Sequence, residues 1–200
     1  MCRIARATAL LSVGLLLGGC AGAGRDFIRP NADSFQVGQT TFAQVTQKMG
    51  EPKTTSEVLQ NGKHVKTIVY SYANASGQPL EEGVIPYRGM TYFFYDDTLV
   101  GEQFVSSFKL DNTNFDDALT DRVQKGRTTR EDAVALFGPP SALFIPPMVK
   151  ETSSETIGYT YHAIRGGLFT GLKQHIKVLH ISFDGGGVVT DIEHSVQAPK

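Results

Sequence analysis

Apolar side chains recur at helical spacing in two short stretches of the chain. Phe42, Val45 and Met49 follow one another at intervals of three and four residues, and residues 133–137 show a similar periodicity. Each stretch ends at a glycine with a proline just beyond it, which is typical of a helix C-terminus. The pattern therefore predicts two amphipathic helices, one in each half of the chain.

Six other segments alternate apolar and polar residues or run apolar for the length of a strand. Short runs of aspartate and glycine separate the last two strands in each half, and these runs predict tight turns. Residues 54–59 and 141–144 are candidates for one further strand each. The six predicted strands are residues 65–73, 90–95, 100–107, 155–163, 177–183 and 188–194.

Two copies of one pattern lie 88 positions apart. Each copy has a glycine two residues before a pair of threonines, a second glycine at the end of the helix, and an aromatic–aspartate pair at the end of a strand. Because several landmarks occur in the same order, the pattern indicates an internal repeat. The matched positions are Gly38 and Gly126, Gly50 and Gly138, and Tyr95 and Phe183.

The repeat and its elements predict an α+β fold of two tandem repeats. In each repeat, two short helices pack on a three- or four-stranded antiparallel sheet. The first repeat spans residues 29–110 and the second spans residues 111–200. Thr128 and Glu131 have the spacing of a capping box, which predicts the start of the main helix of the second repeat.

Residues 1–19 have the features of an export signal. Arg3 and Arg6 precede an apolar run that is too short to span a bilayer as a helix. The run ends in Leu17-Gly18-Gly19-Cys20, which resembles the lipobox of bacterial lipoproteins. The resemblance implies cleavage before Cys20 and lipid attachment to its thiol, and a plain secretory signal is the alternative. Residues 20–28 are rich in glycine and alanine and predict a flexible, lipidated tether.

Cysteine content and charge narrow the classes of partner. Cys2 and Cys20 are the two cysteines, so the body that follows the signal has no thiol left for a disulfide. The full chain has 19 basic and 20 acidic residues, and loss of Arg3 and Arg6 with the signal takes the net charge from −1 to −3. No basic stripe remains, so we expect no nucleic-acid partner.

Motifs that could carry catalysis are incomplete. Ser106 and Lys109 have the Ser-x-x-Lys spacing of penicillin-interacting enzymes, but the two companion motifs do not occur. A glycine pair at 166 and 171 precedes Leu172, where a phosphate-binding loop requires lysine. The histidines lack the paired spacing of a zinc site. The sequence therefore predicts a non-enzymatic protein with no cofactor, no metal and no small-molecule substrate.

The repeated order of motifs resembles the SmpA/OmlA, or BamE-type, outer-membrane lipoproteins, here in two copies. Phe27-Ile28-Arg29-Pro30 adds to the similarity. The doubled arrangement is also similar to beta-lactamase inhibitor protein. The resemblance implies a periplasm-facing lipoprotein of the outer membrane, and Ala21 after the lipidated cysteine agrees with that location. It implies a protein partner in envelope or outer-membrane protein assembly; the alternative is a membrane-anchored inhibitor or regulator of a periplasmic enzyme.

One strand face predicts where such a partner would bind. When the two copies are aligned 88 positions apart, residues 91, 93 and 95 match apolar residues of the second copy and are expected to pack against the helices. The intervening residues Met90, Tyr92 and Phe94 match Val178, His180 and Ser182, so this face is aromatic in the first copy alone. Exposed aromatic and methionine side chains often mark a partner site. Met90, Tyr92 and Phe94 are therefore the predicted partner surface, with packing against the second repeat as the alternative.

Overall fold

An antiparallel sheet dominates the protein. Most of its strands are the predicted segments, whose side chains alternate between the two faces of the sheet. The computed structural model describes residues 22–150, 152–167 and 171–197. The strands within these residues are β1 (Gly22–Gly24), β2 (Thr54–Gln60), β3 (Lys63–Asn74), β4 (Val84–Ile85), β5 (Tyr87–Tyr95), β6 (Thr98–Ser106), β7 (Ala142–Phe144), β8 (Glu155–Gly167), β9 (Gly171–Phe183) and β10 (Val189–Gln197).

Two α-helices lie within the described residues, α1 (Phe42–Met49) and α2 (Arg130–Phe137), together with two short 3-10 helices. Both α-helices begin with a capping box. The threonine side chain accepts from the backbone N–H three residues later, and the side chain of that later residue accepts from the backbone N–H of the threonine. In α2 the pair is Thr129 and Asp132. The predicted pair Thr128 and Glu131 is therefore wrong by one residue.

The ten strands of the described chain form one sheet, in the order β1-β3-β5-β6-β7-β8-β9-β10, with β2 beside β3 and β4 beside β8. The short strand β7 pairs with β6 on one side and with β8 on the other. Strands from both halves of the sequence are thus hydrogen-bonded into a single sheet. The predicted α+β fold of two tandem repeats, each with its own sheet, is wrong, and the protein is mainly β.

Equivalent contacts nevertheless end the two α-helices. Gly50 and Gly138 have φ angles of 78° and 80°, which favour glycine. The Tyr70 hydroxyl donates to the Gly50 carbonyl at 2.8 Å, and the Tyr159 hydroxyl donates to the Gly138 carbonyl at 2.9 Å. In both halves a strand tyrosine therefore satisfies a carbonyl just past the helix and fixes the helix against the sheet.

One row of side chains crosses the sheet beneath the helices and forms the centre of the core. Seven strands each contribute one residue to this row: six are apolar or aromatic, and one has a carboxylate. The helix residues Val45 and Ala133 pack on opposite ends of the row, in two adjoining hydrophobic clusters. The row consists of Ile68, Tyr92, Glu102, Leu143, Ile157, Ile181 and Ile192.

The segment after the predicted lipidation site is fixed to the sheet. Gly22 pairs with Asn74 and Gly24 with Tyr72, so β1 extends the sheet beyond β3. The Arg25 guanidinium then donates to a carbonyl at the end of α1. Residues 22–24 of the predicted flexible tether, residues 20–28, are therefore a paired strand. Cys20 and the signal lie outside the described residues, and none of the described helices has the length and apolarity needed to cross a bilayer.

Candidate protein-binding face

The predicted partner surface lies inside the protein. Met90, Tyr92 and Phe94 are 2%, 0% and 2% exposed. They face the helices and pack in the cluster that contains Phe35 and Val45. A partner cannot reach these side chains in the folded protein, so the prediction that they form the contact surface is wrong. The buried residues of that cluster all come from the first half, and Met90 in addition lines a cleft with Leu143 of the second half.

A one-residue difference in strand alignment explains the error. Strand pairing places Tyr92 opposite Ile68 and Ile181 opposite Ile157, so equivalent positions in these strands are 89 residues apart. The 88-residue spacing of the glycines does not hold in β5. Because side chains alternate along a strand, a slip of one residue exchanges the two faces. The face that carries Phe93 is therefore the one without helices.

The face of the sheet opposite the helices, which we call the open face, is almost free of charge. Two adjacent rows cross it from β3 to β10, and their members with a carboxylate or a basic side chain other than histidine are Asp191 and Glu193. Both lie in the outermost strand β10, where the Lys150 ammonium contacts the two carboxylates. The first row is Val69, Thr91, Gln103, Ala142, Gly158, His180 and Glu193. The second row is Thr67, Phe93, Gly101, Phe144, Thr156, Ser182 and Asp191.

Accessible aromatic side chains occur beside these small and polar residues. Tyr87, Phe93 and Tyr95 all lie on the open face of β5 and are half-buried. The Phe93 ring packs edge-on against Phe144, with 5.7 Å between the ring centroids. The Tyr87 ring makes a similar contact with His162 of β8 at 6.0 Å. The open face thus offers rigid aromatic surface in contact with solvent.

Glycines allow the rings to lie close to the backbone of the open face. A Cβ atom added at Gly101 would lie 2.6 Å from Cδ1 of Phe144, and one added at Gly89 would lie 2.5 Å from the Tyr87 hydroxyl. Neither position tolerates a side chain without movement of the ring. The glycines are therefore required for packing within the face.

A loop after β7 covers the centre of the open face. Met148 and Val149 of this loop pack on Phe144 and Phe93. The Asn61 side chain, at the tip of the β2–β3 hairpin, donates to the carbonyls of Pro147 at 2.8 Å and Val149 at 2.7 Å. The loop is held by a residue distant in the sequence, and this gives the face a defined shape.

Beside the loop lies a small cavity of about 330 Å³. It is lined in part by His180, Thr156 and Ser182. Burial lowers the pKa of the His180 imidazole, so the ring is neutral at pH 7. Thr156 and Ser182 are hydrogen-bonded to each other through their hydroxyls at 2.7 Å. These three residues are thus polar and uncharged, whereas Lys150 and Glu193, which also line the cavity, form an ion pair.

A larger cleft of about 590 Å³ lies on the helix side, where the two halves meet. Arg29, Glu102 and Arg130 are among its lining residues. Burial raises the pKa of the Glu102 carboxyl, and the Arg29 guanidinium opposes that shift. The Tyr92 hydroxyl behind it has no hydrogen-bond partner among the described residues. This cleft had no sequence signal, because a lone glutamate in an apolar strand is visible only once its neighbours are known.

The serine of the Ser-x-x-Lys motif is buried and hydrogen-bonded to a carboxylate. Ser106 is fully buried, and its hydroxyl donates to the Asp111 carboxylate at 2.6 Å. That carboxylate also lies 3.4 Å from the Arg88 guanidinium. Across the described ranges, no three His, Cys, Asp or Glu side chains are grouped so that they could hold a metal ion.

Comparison with known proteins assigns no family to this chain. Neither a protein-family model nor a curated protein matches it. One solved structure does: a protein from Streptococcus mutans described as a "putative beta-lactamase inhibitor protein", 12% identical, with a TM-score of 0.38 and coverage of 78% of this chain and 82% of that chain. A likeness at this level does not establish a common function.

Proposed function

We propose that the chain is a non-enzymatic, lipid-anchored protein of the bacterial outer membrane that binds a protein partner through the open face. Two observations support the proposal. The run Leu17-Gly18-Gly19-Cys20 follows a predicted export signal. The open face combines accessible aromatic rings with two central rows that have no charged side chain from β3 to β9. The proposed partner belongs to the envelope, where the lipid would hold the body on the periplasmic side.

The composition of the open face is the observation that carries the binding proposal. The cores of protein interfaces are depleted in charged residues and enriched in aromatic ones. Charged groups must lose their hydration when a partner covers them, and that cost opposes binding. Tyr87, Phe93 and Tyr95 add contact area at a small entropic cost, because each ring has few rotatable bonds.

The anchor is tested by Cys20→Ser. The hydroxyl cannot form the thioether that carries the lipid, so we expect the variant to move from the membrane pellet to the soluble periplasmic fraction. Fractionation of cells and mass spectrometry of the N-terminal peptide measure the result. A variant that still pellets with membranes would contradict the lipid anchor.

The partner is tested by photocrosslinking in cells. We expect a crosslinking amino acid at Thr91 or Gln103 to capture a discrete partner, because both residues lie on the open face. The matched control position is Gln47, an exposed residue of α1 on the other side of the sheet. Equal capture from both sides would contradict the open face as the binding site.

Mass spectrometry of the captured protein separates two functions. Capture of subunits of the machinery that assembles outer-membrane proteins would indicate a role in envelope assembly. A single soluble periplasmic enzyme, with its activity lowered by the purified chain, would instead make it an anchored inhibitor. If the open face is responsible for such inhibition, Phe93→Ala should reduce it.

A further inference from the structure

We infer that the end of the sheet where β1 begins lies directly against the membrane, with Ile28 and Leu110 in the interfacial region of the bilayer. The inference rests on the proposed lipid anchor at Cys20. It adds a second membrane contact, made by the folded body itself, and therefore a fixed orientation of the protein on the surface.

The length of chain between the anchor and the body is the first argument. Gly22 is already paired with Asn74 in the sheet, and only Ala21 separates it from Cys20. Two consecutive Cα–Cα steps span about 7 Å at most. The lipidated residue therefore cannot lie more than about 7 Å from the start of β1, and the nearby surface must lie at the depth of the lipid headgroups.

Leu110 is part of this nearby surface. A Cβ atom added at Gly22 would lie 3.3 Å from the Tyr72 ring, so Gly22 and that ring are in contact. Tyr72 also stacks on Phe108, with 5.9 Å between centroids and 4° between ring planes. Leu110 follows two residues later and is 94% exposed. No burial within the protein accounts for this leucine.

Ile28 lies beside the same cluster and is 87% exposed. The Arg88 guanidinium connects the two sites, because it donates to the Phe27 carbonyl at 2.7 Å and lies 3.4 Å from the Asp111 carboxylate. Phe27 is the sequence neighbour of Ile28, and Asp111 is the sequence neighbour of Leu110. Ile28 and Leu110, the two most exposed of the large apolar residues described, therefore flank one guanidinium near the anchor.

The charges around the pair are compatible with a lipid surface. Arg88 lies within 4 Å of the carboxylates of both Asp26 and Asp111, and its single positive charge offsets one of their two negative charges. Lys109 is exposed next to Leu110 and is free to approach lipid phosphates. Apolar side chains with a neighbouring lysine are typical of segments that lie in the membrane interface.

Fluorescence quenching tests the orientation in the lipidated protein. The lipid occupies the Cys20 sulfur, and cleavage of the signal removes Cys2. A single introduced cysteine is therefore the only free thiol of the lipidated protein. Leu110→Cys and Ile28→Cys, each labelled with an environment-sensitive dye, are placed in phosphatidylethanolamine–phosphatidylglycerol vesicles that contain a headgroup-level spin-labelled lipid. The matched control is Leu59→Cys, which is 67% exposed. Leu59 pairs with His64 in β3, ten residues from the Asn74 end and thus about 33 Å away along the strand.

We expect severalfold stronger quenching at positions 28 and 110 than at position 59. Quenching at position 110 no stronger than at position 59, in protein shown by mass spectrometry to be lipidated, would overturn this inference and leave the anchor intact. Protein without lipid on Cys20 would overturn both. Because Ile28 and Leu110 are exposed, their replacement does not disturb the core, and circular dichroism confirms the fold of each labelled variant.

Discussion

The two faces of the sheet are formed by the same strands but differ in composition and exposure. On the helix side, a row of side chains from Ile68 to Ile192 is apolar except for Glu102, and both α-helices pack on it. The open side, one residue away along every strand, contains threonine, glycine, glutamine and half-buried aromatic rings. The difference shows that apolar content alone does not identify a binding face: the more apolar side of β5 is the core, and the more accessible side is the candidate for contact.

Adjacent phenylalanines of β5 provide the largest test of this difference. Phe94 is 2% exposed and contacts the Phe42 ring edge-on at 5.4 Å. We expect Phe94→Ala to lower the free energy of unfolding by about 3–5 kcal/mol. Phe93→Ala, on the half-buried open face, should cost about 1–2 kcal/mol and should reduce partner capture. Urea unfolding and the crosslinking assay measure the two effects, and equal costs at both positions would contradict the assignment of faces.

Gly101→Ala tests the close packing of the open face. The added methyl would lie 2.6 Å from the Phe144 ring, so we expect a loss of about 1–3 kcal/mol in the free energy of unfolding. Gly185→Ala is the control, because its nearest atom is the Ser154 hydroxyl oxygen at 3.5 Å; its cost should stay within about 0.5 kcal/mol. A double variant that adds Phe144→Leu should lose less than the two single changes together, since the smaller side chain relieves the clash.

Glu102→Gln tests the one carboxylate of the helix-side row and is expected to have the smallest effect. Burial raises the pKa of Glu102, so the folded state binds its proton more tightly than the unfolded chain does. The stability that protonation provides is present in acid and is lost as pH rises through the folded-state pKa. The neutral amide should therefore raise the free energy of unfolding at pH 7 by about 1 kcal/mol.

That gain should disappear as pH falls below the ordinary glutamate pKa of 4.5, where both proteins are uncharged at position 102. Thermal unfolding at several pH values measures the difference. Glu51→Gln, at an exposed position, is the control and should show little change. A Glu102→Gln protein that is less stable at pH 7 than at pH 4, relative to the parent, would contradict the assigned direction of the pKa shift.

Local signals in the sequence predicted the local structure well. Strand segments, the helix at residues 42–49 and its end at Gly50 follow from periodicity and from the special backbone angles of glycine. The partner of each strand does not follow from such signals. Residues 141–144 were a candidate strand, yet nothing in those residues shows that β7 joins β6 to β8 and merges the halves into one sheet.

The candidate site failed for a related reason. The glycines that end the helices are 88 positions apart, whereas Tyr92 and Ile181 occupy equivalent places 89 positions apart. A loop absorbs a single extra residue at no cost, but in a strand the same residue exchanges inside and outside. Landmarks in turns therefore cannot set the register of the strands between them. The Tyr70 and Tyr159 pair, also 89 apart, was the signal that gave the correct register.

The position of β7 has a consequence for how the chain acquires its shape. Because synthesis proceeds from the N-terminus, β5 and β6 emerge before β7 does. Until then β6 exposes a row of unpaired N–H and C=O groups, which invites pairing with another molecule of the same kind. A fragment ending at residue 110 would keep that row open permanently. Such a fragment should self-associate, whereas the whole chain closes the row with its own later strand.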